Sequence, residues 1–226
     1  MRRIALALGL AGAIGGACAH GESKPTVSDA DFGRLGPDQM GPVNEARQFA
    51  MSARDEQARA RARLSEVQHE GDLAKADQQA AKATGSAAEA QAKIANDSRD
   101  PAQLERAREA KERAQLQTQT ADAHADYAAK VVQARQTAVD AADKQVALGN
   151  ARLELAKLHA LQTANIPASQ KYDEAKLQGA VNDAQKSFSD TMDKARSQDG
   201  QAVASHQRWQ DLQRQLQAKA TPVPAG

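Results

Sequence analysis

The 226-residue chain contains few aromatic residues: three Phe, two Tyr and one Trp. Because large rings contribute much of the buried area of a compact domain, this composition leaves little material for one large apolar core. Cysteine is nearly absent too, and since Cys18 is the only one, no disulfide can form within this chain. The abundant residues are Ala, Gln and charged residues, a balance typical of long helices and coiled coils.

The chain also lacks an excess of charge of either sign. Lys and Arg total 30, Asp and Glu total 29, and both signs are mixed along the sequence. A basic stripe of the kind that binds nucleic acid is therefore not indicated, and we expect no nucleic-acid partner.

Long hydrophobic runs are missing apart from one near the N-terminus. Ile4 to Ile14 form an apolar segment that is too short to cross a membrane. Arg2 and Arg3 precede it, and the small residues Gly15 to Ala17 follow it. This is the layout of a secretory signal, so residues 1–17 are predicted to be a signal peptide.

The segment Ile14-Gly15-Gly16-Ala17-Cys18 resembles a bacterial lipobox, with Gly15 at the position where Leu is usual. The resemblance implies cleavage before Cys18, which would carry the acyl chains and become the mature N-terminus. It also implies sorting to the outer membrane, because Ala19 is not the Asp that typically retains such proteins at the inner membrane. Alternatively, ordinary signal peptidase cuts after Ala19 and releases a soluble exported protein that begins at His20.

Gly and Pro residues divide the rest of the chain. Residues 18–41 are predicted to be the lipidated cysteine and a flexible linker, and residues 220–226 a disordered tail. Residues 42–219 are predicted to form a bundle of long helices, in which Asp100 and Pro101 begin the second helix and Ser169 caps the third. The expected helices cover approximately residues 42–96, 101–165 and 169–219.

Each predicted helix carries a seven-residue repeat of small or apolar residues, which over six or more heptads indicates a coiled coil. Short connections favour antiparallel neighbours, with the third helix returning along the groove of the first two. The predicted fold is all-α, an elongated antiparallel coiled coil or three-helix bundle. The main columns are Ala46, Ala53, Ala60, Val67, Ala74, Ala81, Ala88 and Ala95; Ala107, Ala114, Ala121, Ala128, Arg135, Ala142, Gly149 and Ala156; and Val181, Phe188, Ala195, Ala202, Trp209 and Leu216. Each has a companion column: Val43, Ala50, Gln57, Leu64, Gly71, Gln78, Gly85 and Ala92; Leu104, Lys111, Thr118, Ala125, Val132, Val139, Val146, Leu153 and Ala160; and Leu177, Ala184, Thr191, Gln198, Ser205 and Leu212.

No pattern in the chain predicts catalysis. The five histidines are not spaced as metal ligands on one helix face, and no nucleophile elbow or phosphate-binding loop is present. We therefore expect no metal, no cofactor, no small-molecule substrate and no enzymatic activity. Arg135 and Lys111 interrupt apolar columns and either fix the register or extend outward. Phe188 and Trp209 are expected in the core.

These features favour a periplasmic lipoprotein, held by acyl chains on Cys18, that acts as a spacer, scaffold or assembly partner in the cell envelope. Its plan is similar to that of the major outer-membrane lipoprotein family, a lipid joined to an alanine-containing coiled coil. The chain ends Pro-Ala-Gly rather than in the lysine that this family links to peptidoglycan, so covalent attachment to the wall is not predicted. A second copy of the chain, bound through the helices, is a possible partner. An alternative is a periplasmic chaperone or binding module. An export-system adaptor is not favoured, because it would need strand-rich domains that the sequence does not predict.

Overall fold

The computed structural model describes residues 25–33, 35–98 and 100–220, and these residues form helices and turns without any strand. A short helix α1 (Asp29–Phe32) is followed by three long helices, α2 (Gly41–Ser98), α3 (Pro101–Thr163) and α4 (Glu174–Ala220). Two 3₁₀ turns cover Pro37–Gln39 and Pro167–Lys171. The predicted all-α fold of long, mutually packed helices is confirmed. Cys18, the predicted signal peptide and residues 221–226 lie outside the described residues.

The break between α2 and α3 forms as its sequence predicts. The Asp100 side chain accepts hydrogen bonds from the backbone N–H groups of Ala102 (2.9 Å) and Gln103 (3.4 Å), and Pro101 opens the helix. The carboxylate satisfies two of the donors that a helix start leaves unpaired, while Pro101 has no N–H to satisfy.

The second break, after α3, uses a left-handed residue. Asn165 has φ 54°, the Ile166 N–H donates to the Leu161 carbonyl, and the Asn165 N–H donates to the Gln162 carbonyl. This is the Schellman pattern, completed by apolar contact of Ile166 with the cluster that contains Leu161.

The start of the last helix differs from the prediction. Ser169 does not cap α4, because Pro167 begins a 3₁₀ turn that contains Ser169 and ends at Lys171. The capping role passes to Asp173, whose carboxylate accepts a hydrogen bond from the Lys176 N–H at 3.1 Å.

The alanine seam joins α2 to α3 in antiparallel orientation. Every buried residue of α2 belongs to the two predicted columns, and a β-carbon added to Gly149 of α3 would lie 2.9 Å from Ala50 Cα of α2. Small side chains therefore let the two backbones approach closely. The buried residues of α2 are Val43, Ala50, Ala53, Ala60, Gly71, Ala74, Ala81, Ala88 and Ala95.

Two repeated polar contacts fix the register of this seam. Gln57 Nε2 and Arg61 Nη2 lie 2.6 Å and 3.3 Å from Asp143 Oδ1. Three heptads further along α2, Gln78 and Lys82 contact Asp122 in the same way. Because a slip of one heptad would preserve most alanine contacts but break both sets of polar contacts, these side chains select one register.

The third long helix does not return along the groove of the first two. α3 packs against α2 on one side and α4 on the other, and α2 and α4 do not pack directly on each other over any length. A second stripe on α3, which the predicted columns do not include, receives α4. That stripe contains Thr120, Ala123, Tyr127, Lys130, Ala134, Thr137, Ala141, Leu148, Leu155 and Leu158, all buried or half-buried.

The flexible linker predicted for residues 18–41 is wrong for the part that the structure describes. Val27 is 3% exposed and Phe32 is 8% exposed, and both belong to apolar clusters built on the C-terminal part of α3. We call residues 25–33 the strap. We call the end of the bundle that it covers, formed by the end of α3 and the start of α4, the base.

Candidate functional site

The predicted site residue, Cys18, lies outside the described residues. The nearest described position along the chain is Pro25, where the strap begins. Pro25 and Thr26 line one end of a groove between α3 and α4. The contacts of the strap therefore determine how the region that follows Cys18 is joined to the bundle, and the base is the candidate functional site.

Hydrogen bonds attach the strap backbone to the base. The Val27 N–H donates to Glu154 Oε2 of α3 at 2.7 Å, and the Ser28 N–H donates to the Tyr172 hydroxyl at 2.9 Å. That hydroxyl in turn donates to Asp31 Oδ2 at 2.8 Å, so Tyr172 binds the strap at two points. Backbone groups of an extended segment thus find partners that a free linker would find only in water.

A buried cation adds a charged contact. Lys157 Nζ lies 3.0 Å from Glu154 Oε1 and 3.2 Å from Asp29 Oδ1, and its side chain is only 10% exposed. Burial acts to lower the pKa of Lys157, but the hydrogen bonds and charges of Glu154 and Asp29 outweigh it and the pKa is raised. The ammonium group therefore stays charged and links the strap to α3.

Apolar anchors complete the attachment. Val27 packs with Leu158 and Leu161 of α3 and with Leu177 of α4. Phe32 packs in a second cluster with Val43 of α2. Burial of a Val or Phe side chain contributes on the order of 1.5–3 kcal/mol, which offsets part of the entropy lost when a short segment is ordered. These apolar contacts, the hydrogen bonds and the Lys157 ion pairs together hold the strap on the base.

Glu154, Lys157 and Val27 were not identified from the sequence. Glu154 and Lys157 are charged residues three positions apart in an otherwise apolar part of α3, a signal that could have marked a buried ion pair. Val27 is a single apolar residue among polar neighbours, and composition alone gave no reason to place it in a core.

Of the two predicted aromatic core residues, Trp209 lies on the seam between α3 and α4, and Phe188 lines a cavity to which α2, α3 and α4 all contribute. Trp209 stacks on His124 with ring centroids 4.3 Å apart, and Tyr127 lies near both Trp209 and His206. Trp209 and Phe188 are half-buried rather than fully enclosed, because α4 is covered on one side only. Tyr172 is the other tyrosine and belongs to the base.

The polar residues of the predicted columns have defined positions. Arg135 is half-buried and its Nη1 lies 3.2 Å from Asp199 Oδ1 of α4, so it links two helices instead of only extending outward. Lys111 is half-buried on α3. The basic run Arg59, Arg61 and Arg63 is exposed and pairs with acidic residues of α2 and α3.

The described residues contain neither a metal site nor a membrane-spanning helix. No group of three or more His, Cys, Asp or Glu side chains in this part of the chain could hold a metal ion. In the same residues, no helix combines the length and hydropathy that crossing a bilayer requires.

No known protein family, curated protein or solved structure matches the chain.

Proposed function

We propose that the chain is a periplasmic lipoprotein, held at the outer membrane by acyl chains on Cys18, that acts as a rigid spacer or scaffold in the cell envelope. Its partners are the membrane and a protein that the helices contact, and the proposal includes no enzymatic step, cofactor or nucleic acid. Two or more acyl chains would make membrane attachment stable, since a single chain gives marginal binding.

One observation carries the proposal: the strap joins the region after Cys18 to one end of a long rod. α3 contains 63 residues, which at 1.5 Å per residue corresponds to a rod of about 95 Å. With Cys18 seven residues before Pro25 of the strap, acyl chains on Cys18 would lie near the base, and the α2–α3 connection would lie at the opposite end of the rod. This is the arrangement that a spacer requires.

The exposed surface supports a spacer over a chaperone. A chaperone that holds unfolded clients needs a continuous exposed apolar face. Among the described residues, the exposed large hydrophobic side chains are Met51, Leu73 and Ile94, spread along α2, and Val203 on the separate helix α4. The alanine column of α2 is largely buried in its contacts with α3, so it does not form such a face.

Fatty-acid labelling in a bacterial host tests the anchor. We expect wild-type protein to incorporate labelled palmitate and to sediment with outer membranes, and Cys18→Ser protein to lose both properties because the acceptor thiol is absent. A matched control, Ser23→Ala, changes the same region without touching the thiol and is expected to label normally.

The mass of the mature chain distinguishes the two cleavage sites. Acylated protein that begins at Cys18 supports the proposal. Unmodified protein that begins at His20, or label that persists in Cys18→Ser, would show that the chain is not lipid-anchored through this cysteine.

A further inference from the structure

We infer that the strap sets the maximum length of the membrane tether, because its contacts with the base leave few residues between Cys18 and the rod. This inference rests on the proposed lipid attachment at Cys18. With the strap bound, only the six residues Ala19 to Lys24 separate Cys18 from the first described residue, Pro25. Fully extended, such a segment spans at most about 25 Å.

If residues 25–40 were free, the tether would be much longer. It would extend from Ala19 to Met40, directly before α2 begins at Gly41, with a contour of about 75 Å. The strap contacts therefore change the reach of the anchor about threefold. A rod held within about 25 Å of the lipid has its base next to the headgroups, and its far end at a distance that the helices define.

Three separate contacts bind the strap to the base. Val27 fills an apolar site between α3 and α4, Lys157 bridges Asp29 to Glu154, and Tyr172 bonds both Ser28 and Asp31. Asp31 is 8% exposed and also receives Lys171 Nζ at 3.5 Å. A carboxylate so deeply buried is tolerated because hydroxyl and ammonium donors surround it.

The strap also explains why the base is a single unit. Its contacts reach α3 through Glu154 and Lys157, the 3₁₀ turn through Lys171, and the start of α4 through Leu177. A mechanical force on the tether is therefore shared by α3 and α4. It does not act on α2 alone, although α2 is the long helix that follows the strap in the sequence.

Hydrogen exchange of the full chain tests whether the strap is bound. In wild-type protein we expect the Val27 and Ser28 amides to exchange at least roughly tenfold more slowly than in an unstructured peptide. In Tyr172→Phe and Asp31→Asn, protection in residues 27–33 is expected to fall by roughly tenfold or more, while the amides of α3 and α4 keep theirs. Asp31→Asn alters the strap alone, so the bundle remains folded.

Tyr127→Phe is the matched control, because it removes the only other tyrosine hydroxyl of the chain, at a site between α3 and α4 away from the base. It is expected to leave strap protection unchanged. Strap amides that exchange freely in wild type, or that stay equally protected in Tyr172→Phe and Asp31→Asn, would overturn the inference.

Neutron reflectometry on a supported bilayer then measures the tether. Acylated wild-type protein should place the near edge of its protein layer within about 25 Å of the headgroups, and Asp31→Asn should give a wider and more diffuse gap. If no layer forms, the proposed lipid anchor fails while the exchange result still stands. If a layer forms with the same gap for both proteins, the anchor stands and the tether inference fails.

Discussion

Gly149 lies where α2 and α3 are close enough to exclude a side chain. A β-carbon at this position would meet Ala50 Cα at 2.9 Å and Phe49 Cδ1 at 3.4 Å, and the first of these is backbone that cannot rotate away. Gly200 of α4 is the opposite case, because nothing lies within 4 Å of an added β-carbon. The two glycines therefore form a matched pair for one substitution.

We predict that Gly149→Ala destabilises the protein by about 1–3 kcal/mol, because the added methyl forces the helices apart. Gly200→Ala is expected to stabilise it by up to about 1 kcal/mol, the helix preference of Ala over Gly. Chemical denaturation followed by circular dichroism measures both. Equal effects of the two substitutions would show that the seam is looser at Gly149 than its geometry implies.

At the level of elements, regular patterns were readable from the sequence and contacts between distant segments were not. The columns of α2 matched its buried residues because a helix with one partner shows one stripe. α3 packs against two helices, and its second stripe includes Lys130 and Tyr127. These polar side chains interrupt the seven-residue pattern of apolar residues, so the stripe was not recognised from the sequence. The strap was missed because its Gly and Pro neighbours resemble a linker, while its partners Glu154 and Tyr172 lie more than a hundred residues away.

The second stripe also explains where α4 ends. In the direction of the α2–α3 connection, this stripe continues with the half-buried Leu116, but the next positions are Arg113, Glu109 and Arg106, and all three are exposed. Lys219, next to the last residue of α4, pairs with Glu112. Because the apolar positions stop there, a longer α4 would bury no further apolar surface on α3, and among the described residues only α2 and α3 form the far end of the rod.

The docking of α4 should weaken in acid. Asp126 Oδ2 accepts hydrogen bonds from Lys130 at 2.9 Å and from Ser205 of α4 at 3.1 Å. The hydrogen bond from Lys130, followed by that from Ser205 and the charges of Lys130 and Arg208, outweighs burial and lowers the pKa of Asp126 below its ordinary 3.8. The stabilisation is therefore present above pH 3.8 and is lost as pH falls through the lowered value.

We predict that the stability of wild type falls on acidification below about pH 4 by more than that of Asp126→Asn. The difference is expected to be below about 1 kcal/mol, because the Asp126 side chain is half-exposed. Fluorescence of Trp209, the only tryptophan and a residue of α4, reports on this helix. Asp140→Asn, on the exposed side of α3, is the control and should follow wild type. Identical acid profiles for wild type and Asp126→Asn would contradict the assigned role.

For the whole molecule, the packing of three helices in one layer predicts an elongated particle. Because α3 has about 95 Å of helix and both neighbours run alongside it, mass is distributed along one axis. A rod of this length has a radius of gyration of about 27 Å, whereas a compact globule of the same residue number has about 17 Å. Small-angle X-ray scattering of the protein without its first 24 residues distinguishes the two values clearly.

The cross-section from the same scattering curve tests self-association. A single layer of three helices has one exposed flank on α2 and one on α4, so a side-by-side dimer would thicken the rod without lengthening it, and an end-to-end dimer would lengthen it without thickening it. We expect a monomer-like cross-section at low concentration, because the large hydrophobic side chains exposed among the described residues are few and scattered. A radius of gyration near 17 Å would mean that the long helices are broken, because a straight helix of the length of α3 already exceeds that value, and the proposed spacer function would lose its physical basis.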